Sequence, residues 1–328
     1  MTDPQTRLAP PPGWRLLVEA RRPCAHDLGL TIPVDALPWG AVARRDECGG
    51  YWRALSRPDG DLLLHAARAG ADALLAAWAP PAATWTAEAA EAVLAGWAGF
   101  ADPADGADQL LAGDPRTRRM TVALGPVRLS RIPDVQEAIG RGVIGQLVQF
   151  EEARRSCAQL VRLAGPTVGP LRAWPDAAAL AAIRDWDLRR HCGLSLRGVR
   201  ALHAAARDDR RLTAAAEASD WAALDARLRA IPGIGVWTSA EARLALGDPD
   251  AVPFGDWHLP SLVGHALGDP ADEPAGGWTD TELAGLLEPF RPHRGRVIHA
   301  LMHGAIRGLS PRPSRRAPRT ALSAHRYW

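Results

Sequence analysis

The chain has 328 residues, with 39 basic and 37 acidic side chains and a net charge of +2. That length is more than one compact core usually holds, so two domains are expected, and the near-neutral charge means that any nucleic-acid surface must come from local clustering. Every basic residue is arginine, and lysine and asparagine are absent, so abundant arginine alone demonstrates no nucleic-acid binding. Cys24, Cys48, Cys157 and Cys192 are too far apart in sequence for a zinc pair or a disulfide framework. No uncharged run is long enough to span a bilayer, and residues 1–12 carry Asp3 and Pro10 to Pro12 rather than a signal sequence. A reduced, cytoplasmic, membrane-free protein is expected.

Residues 1–12 read as a disordered lead-in. Trp14 to Glu19 and Tyr51 to Leu55 have strand-like content. Arg57-Pro58-Asp59-Gly60 reads as a turn leading into Leu62 to His65, which predicts a hairpin near residues 51–66. Ala73 to Ala79 fits a strand or a short helix, and Thr84 to Gly99 reads as a helix. An antiparallel sheet with one or two helices accounts for this region.

From Pro133-Asp134 the chain turns helical. Val135, Ile139, Val143, Leu147 and Phe150 fall on one face of a single expected helix. Trp174-Pro175-Asp176 opens the next segment, and Leu196 to Arg207 predicts a helix with Arg197, Arg200 and Arg207 on its polar side. Trp221 to Ala230 and Val236 to Leu246 are helical stretches separated by Ile231-Pro232-Gly233-Ile234-Gly235. Proline cannot continue the first helix, and glycine supplies the positive φ of a tight turn. Amides of Gly233 and Gly235 at the start of the second helix suit an anion such as a phosphate, though an ordinary helix-helix turn reads the same way. Thr279-Asp280-Thr281-Glu282 is a capping box, His293 to Arg307 is helical, and the arginine-rich tail at 311–328 reads as extended or disordered.

The stretch LRAIPGIGVWTSAEARLALGDPDAVPFGDWHL (residues 228–259) resembles the signature of the helix-hairpin-helix-GPD superfamily of DNA glycosylases. Trp237-Thr238 after the hairpin resembles the 3-methyladenine DNA glycosylase II branch. Val143 to Val148, Gly193 to Ser195 and Phe290 to Met302 are similar to further family blocks in order and spacing, so the resemblance covers roughly residues 130–310. It implies a mainly α protein: an N-terminal α+β antiparallel sheet domain (1–112), then an all-α helix-hairpin-helix catalytic domain (113–310), with the tail at 311–328. It implies a monofunctional glycosylase that flips alkylated purines of the 3-methyladenine type out of double-stranded DNA and hydrolyses their N-glycosidic bond. A monomer, nucleoid-associated when bound to DNA, is expected. Other lesions, deaminated or oxidised, and a non-catalytic DNA-binding protein are the alternatives.

By the same resemblance Asp256 is the catalytic carboxylate, although Asp before an apolar run is also an ordinary helix cap. Trp237 and Trp257 are pocket candidates or core residues. Gln146 and Leu147 match the segment that enters the duplex, with Leu147 equally readable as a core leucine. Gly233, Ile234, Gly235, Arg294 and Arg296 are expected at the DNA backbone. The hairpin carbonyls of Ile231 and Ile234 are candidates for a monovalent cation; no cofactor is required, and the four-cysteine cluster of iron-sulfur relatives is missing. Glu241 stands where the branch often has an aromatic residue. It is a pocket group or the partner of Arg227 or Arg243. His299 and His303, at i and i+4, have metal-compatible spacing without a third ligand.

Overall fold

The computed structural model describes residues 8–104 and 106–309. The arginine-rich tail and residues 1–7 of the expected lead-in lie outside the described residues. Within that lead-in, Leu8 is buried with Trp52 and Leu63, because a leucine there finds an apolar sheet face to cover.

Five antiparallel strands form the N-terminal sheet: β1 (Arg15–Pro23), β2 (Ala43–Arg45), β3 (Tyr51–Arg57), β4 (Gly60–Ala69) and β5 (Asp72–Ala79), in the spatial order β1-β5-β4-β3-β2. The expected hairpin is β3–β4, closed where Arg57 pairs with Gly60; Gly60 takes a φ of +104° that a side chain would resist. The ambiguous alanine-rich stretch is β5. Its alternate residues Ala73, Leu75, Ala77 and Ala79 are buried, and period two is a strand's signature. The Ala87–Trp97 helix, capped by the Thr86 hydroxyl, lays Leu94 and Trp97 on this face. Trp52, Leu63 and Trp78 on the opposite face meet Val168 and Leu171 of a two-stranded ribbon.

The remainder is helical apart from that short ribbon at residues 167–172, so the chain is an antiparallel sheet followed by a helical assembly. Leu111, Met120 and Leu124, which follow the sheet, pack with Leu262, Leu283, Phe290 and Ile298 near the C-terminal end. A second core joins Ile139 and Val143 to Leu224, Leu228, Ile231 and Ile234, and so seats the hairpin against the Val135–Ile144 helix. That helix also carries buried charge. Glu137 pairs with Arg53 of β3 and with Arg141, and Arg141 reaches Asp35 at 2.9 Å.

One expected helix is two. It stops at Ile144; Leu147 has a φ of +56°, and a new helix runs Phe150–Ala164. Leu147 and Phe150 consequently leave the apolar face, with exposures of 85% and 74%. The stop follows from Gly145-Gln146: the Gln146 side chain bonds to the hairpin rather than letting the helix run on.

Candidate active site

The hairpin forms as its sequence dictates. The Trp221–Ala230 helix, capped by Asp220, ends at Ile231; the turn spans Pro232 to Ile234, and the second helix runs Val236–Ala245. Gly233 has a φ of +105°, and a Cβ there would lie 3.1 Å from Ala201 Cβ and 3.3 Å from the Arg197 carbonyl oxygen. The chain therefore tolerates only glycine at this close approach. Gly235 is exposed and its added Cβ would meet nothing, leaving the start of the second helix open. No side chain caps that end, so its first amides stay available to an anion. The Ile231 carbonyl accepts from the Ile234 amide at 3.0 Å, which leaves a second lone pair on that oxygen.

Gln146 bridges this turn to the preceding helix. Its Nε2 donates to the Gly233 carbonyl at 2.9 Å and to Thr238 Oγ1 at 2.8 Å. These are the partners a half-buried amide needs, and they leave Leu147 beside the hairpin on a left-handed backbone.

Asp256 lies in the loop between the second hairpin helix and the Leu259–Leu267 helix. Its Oδ1 accepts from the amides of His258 at 2.8 Å and Leu259 at 2.9 Å, and its Oδ2 accepts from Trp237 Nε1 at 3.0 Å. The capping role and the position against Trp237 hold together. The neighbouring Gly255, at a φ of +88°, donates its amide to Asp280 Oδ2 at 2.8 Å. Asp280 is thus a loop anchor that the sequence shows only as part of a capping box.

Glu241, one turn after Trp237, pairs with neither arginine proposed for it. Arg243 binds Asp225 and Asp248, and Arg227 faces Asp208. Burial first, and the Asp256 charge second, push the Glu241 carboxyl up to about 7. Beneath it the Val135–Ile144 helix presents Gly142, whose added Cβ would come 3.3 Å from Thr238 and 3.9 Å from the Glu241 Cβ. A Cβ on Gly145 would lie 3.3 Å from the Trp237 ring. Two small residues therefore let the helices approach where Trp237 and Glu241 lie, and the Trp237 indole in turn holds Asp256. Trp257 is 54% exposed at its edge, outside any core.

Two expected DNA contacts change role. Arg296 is fully buried, its guanidinium clamped on Asp102, with one contact at 2.8 Å, and on the Val127 carbonyl. It cannot reach a phosphate. Arg294 is held by Asp250 through bonds of 2.9 and 2.7 Å. Beside Gly233 stands the exposed Arg197 instead, and no described carboxylate pairs with it or with the equally exposed Arg200. His299 Nε2 lies 3.0 Å from the Leu30 carbonyl and 3.1 Å from His303 Nε2, tying the last helix to the N-terminal segment. Burial and the His303 ring push His299 down to about 4, and among the described residues no three potential ligands cluster for a metal. All four cysteines are free. No described helix is long and apolar enough to cross a membrane.

The sheet, the helical assembly and the hairpin set against an aspartate loop make up the fold of the helix-hairpin-helix DNA glycosylases. The chain is similar to a 3-methyladenine DNA glycosylase from Archaeoglobus fulgidus, with a TM-score of 0.70 and 19% identity over 88% of this chain and 97% of that one. It is similar to MBOgg1 in complex with a low-affinity DNA ligand, with a TM-score of 0.66 and 14% identity over 90% and 99%. It is also similar to the 8-oxoguanine glycosylase/lyase of Clostridium acetobutylicum, with a TM-score of 0.65 and 13% identity over 88% and 98%. No family model and no curated protein matches the chain. At these identities the likeness is one of fold.

Proposed function

We propose that the protein is a monofunctional DNA glycosylase of base excision repair, which hydrolyses the N-glycosidic bond of alkylated purines of the 3-methyladenine type in duplex DNA. The observation that carries this reading is the Asp256 carboxylate, held by three N–H donors and set against Trp237 at the mouth of the hairpin. Breaking the bond to the base builds positive charge on the deoxyribose. A preoriented carboxylate stabilises that charge without reorganising, and it accepts the proton of the attacking water. The alkylated purine is the finer part of the proposal. It is supported by Trp237-Thr238 after the hairpin and by the 3-methyladenine enzyme among the structural neighbours.

The other residues take supporting parts. A base must leave the stack to be reached, and Trp237 and Trp257 offer it aromatic surfaces. Leu147, almost wholly exposed, fills the gap left in the duplex. The amides after Gly233, Ile234 and Gly235, with Arg197 beside them, hold a backbone phosphate at the helix N-terminus. A monovalent cation on the carbonyls of Ile231 and Ile234 would steady the turn, and no step runs through it. Action as a cytoplasmic monomer on double-stranded DNA completes the proposal. The test is base release from duplexes carrying 3-methyladenine, 7-methylguanine, hypoxanthine, 8-oxoguanine or uracil. Release of an alkylated purine is expected; release of none ends the reading, and release of an oxidised base alone moves it to another lesion.

A further inference from the structure

Two carboxyl groups neighbour Trp237, Asp256 through a hydrogen bond and Glu241 one helical turn along, and they are treated differently. Three N–H donors point at the Asp256 oxygens, an environment suited to a carboxylate. No described side chain forms an ion pair with Glu241, and no hydrogen bond reaches it from the surrounding elements. On the Val135–Ile144 helix its neighbour is Gly142, which carries no charge, and Arg141 of that helix is spent on Asp35 and Glu137. On the Trp221–Ala230 helix Asp225 is taken by Ser239 and Arg243, and on the last helix Arg294 is taken by Asp250. His258, exposed on the Asp256 loop, donates its amide to Asp256. The charge that Glu241 feels is that of Asp256. Like charges close together do not both ionise freely, and pairs whose environments push them apart divide into an acid and an anion.

We propose that Glu241 is the general acid of this site, giving its proton to the departing base, and that the site therefore releases neutral purines as well as cationic alkylated ones. The inference rests on the glycosylase reading above and extends it. A cationic alkylated purine leaves as a neutral molecule with the electron pair of the C1′–N9 bond, so it needs no acid. A neutral purine taking the same pair leaves as an anion unless a proton reaches a ring nitrogen. Glu241 Oε–H supplies that proton and becomes a carboxylate; water adds its hydroxyl to C1′ and passes its own proton to Asp256 and on to solvent, from which Glu241 is reloaded. One water is consumed, and the base departs carrying one added hydrogen. The position of Glu241, one turn from Trp237 on the same helix face, sets it beside the surface that receives the base.

The experiment is single-turnover excision by the full chain from duplexes containing hypoxanthine or 7-methylguanine, across roughly pH 5.5–9. The acid form is the active one, so hypoxanthine release should fall about tenfold per pH unit above about 7, while 7-methylguanine release should not follow that limb. Glu241→Gln should lower hypoxanthine release by about 10²–10⁴-fold, flatten its pH limb, and lower 7-methylguanine release far less. Glu241→Asp should restore part of the limb, which a purely structural role would not do. Three results overturn the proposal: wild-type protein that releases 7-methylguanine but never hypoxanthine, a Glu241→Gln protein that loses the cationic base more than the neutral one, or a pH limb that survives in Glu241→Gln. Failure on both duplexes at every pH strikes the glycosylase reading itself.

Discussion

The indole Nε1 of Trp237 donates to Oδ2 of Asp256 across 3.0 Å, joining two residues from opposite ends of the segment that follows the hairpin. The ring that would face a base thereby also aims the carboxylate that would act on its sugar. A donor to Oδ2 and two amides on Oδ1 leave the carboxylate little rotational freedom, which is what electrostatic preorganisation requires.

Asp256→Asn should remove base release while sparing affinity. The amide keeps the shape but not the charge that meets the developing cation, so the loss falls on the chemical step. Single-turnover excision should drop by at least about 10²-fold, with little change in binding to the same duplex. A variant that excises at the wild-type rate would remove Asp256 from the mechanism.

The product should be an intact abasic site. Strand cleavage through a Schiff base needs a nucleophilic amine; the sequence holds no lysine and an arginine guanidinium stays protonated, which leaves an N-terminal amine as the candidate to be excluded. Incubation with lesion DNA and borohydride should trap no protein–DNA adduct. An adduct formed at the rate of base release refutes monofunctionality.

Arg296→Met should cost stability rather than DNA affinity. Its guanidinium is buried on Asp102, and removing one member of such a pair leaves the other uncompensated, at about 3–5 kcal/mol. Urea unfolding reads that loss. Unchanged stability together with a weaker salt dependence of DNA binding would return Arg296 to the surface role its place in the chain suggests.

Arg197→Gln should act in the opposite way. The residue is exposed beside Gly233, so it should weaken binding to damaged and undamaged duplexes alike and reduce the salt slope by about 1. An unaltered slope takes Arg197 off the phosphate.

Deleting residues 311–328 should flatten the salt dependence of DNA binding through lost counterion release while leaving lesion preference unchanged. Titration of binding against salt checks this. An identical slope in the shortened chain would show that the tail's arginines contribute nothing to affinity.

Local chemistry made much of the fold legible. Pro232, Gly233 and Gly235 punctuate two helical stretches, so the hairpin could be placed to the residue, and Thr279 with Glu282 forms the capping box their spacing predicts. What escaped the sequence depends on distance in space. Asp102, the partner of Arg296, is 194 residues away, and no local pattern announces it. Helical periodicity running through Gly145 put Leu147 and Phe150 on the face of one continuous helix, because periodicity does not register a turn held by the Gln146 side chain. Arg243 failed as a partner for Glu241 because residues two apart on a helix do not share a face. Gly142 and Gly145, which let the Val135–Ile144 helix approach Thr238 and the Trp237 ring, are in sequence only a pair of small residues whose facing helix is unknown.

Glu137 bears on how far the protein can be trimmed. Its carboxylate is fully buried, and one of the guanidiniums that compensate it belongs to Arg53 of the sheet. A fragment beginning after β5 keeps the hairpin and Asp256, yet leaves Glu137, on the very helix whose end positions Gln146, with Arg141 but without Arg53. Losing one partner of a buried ion-pair network in this way is destabilising. The sheet therefore supplies part of the counter-charge of the helical half, and a minimal version of this protein should gain from a substitute for Arg53 or from replacing Glu137.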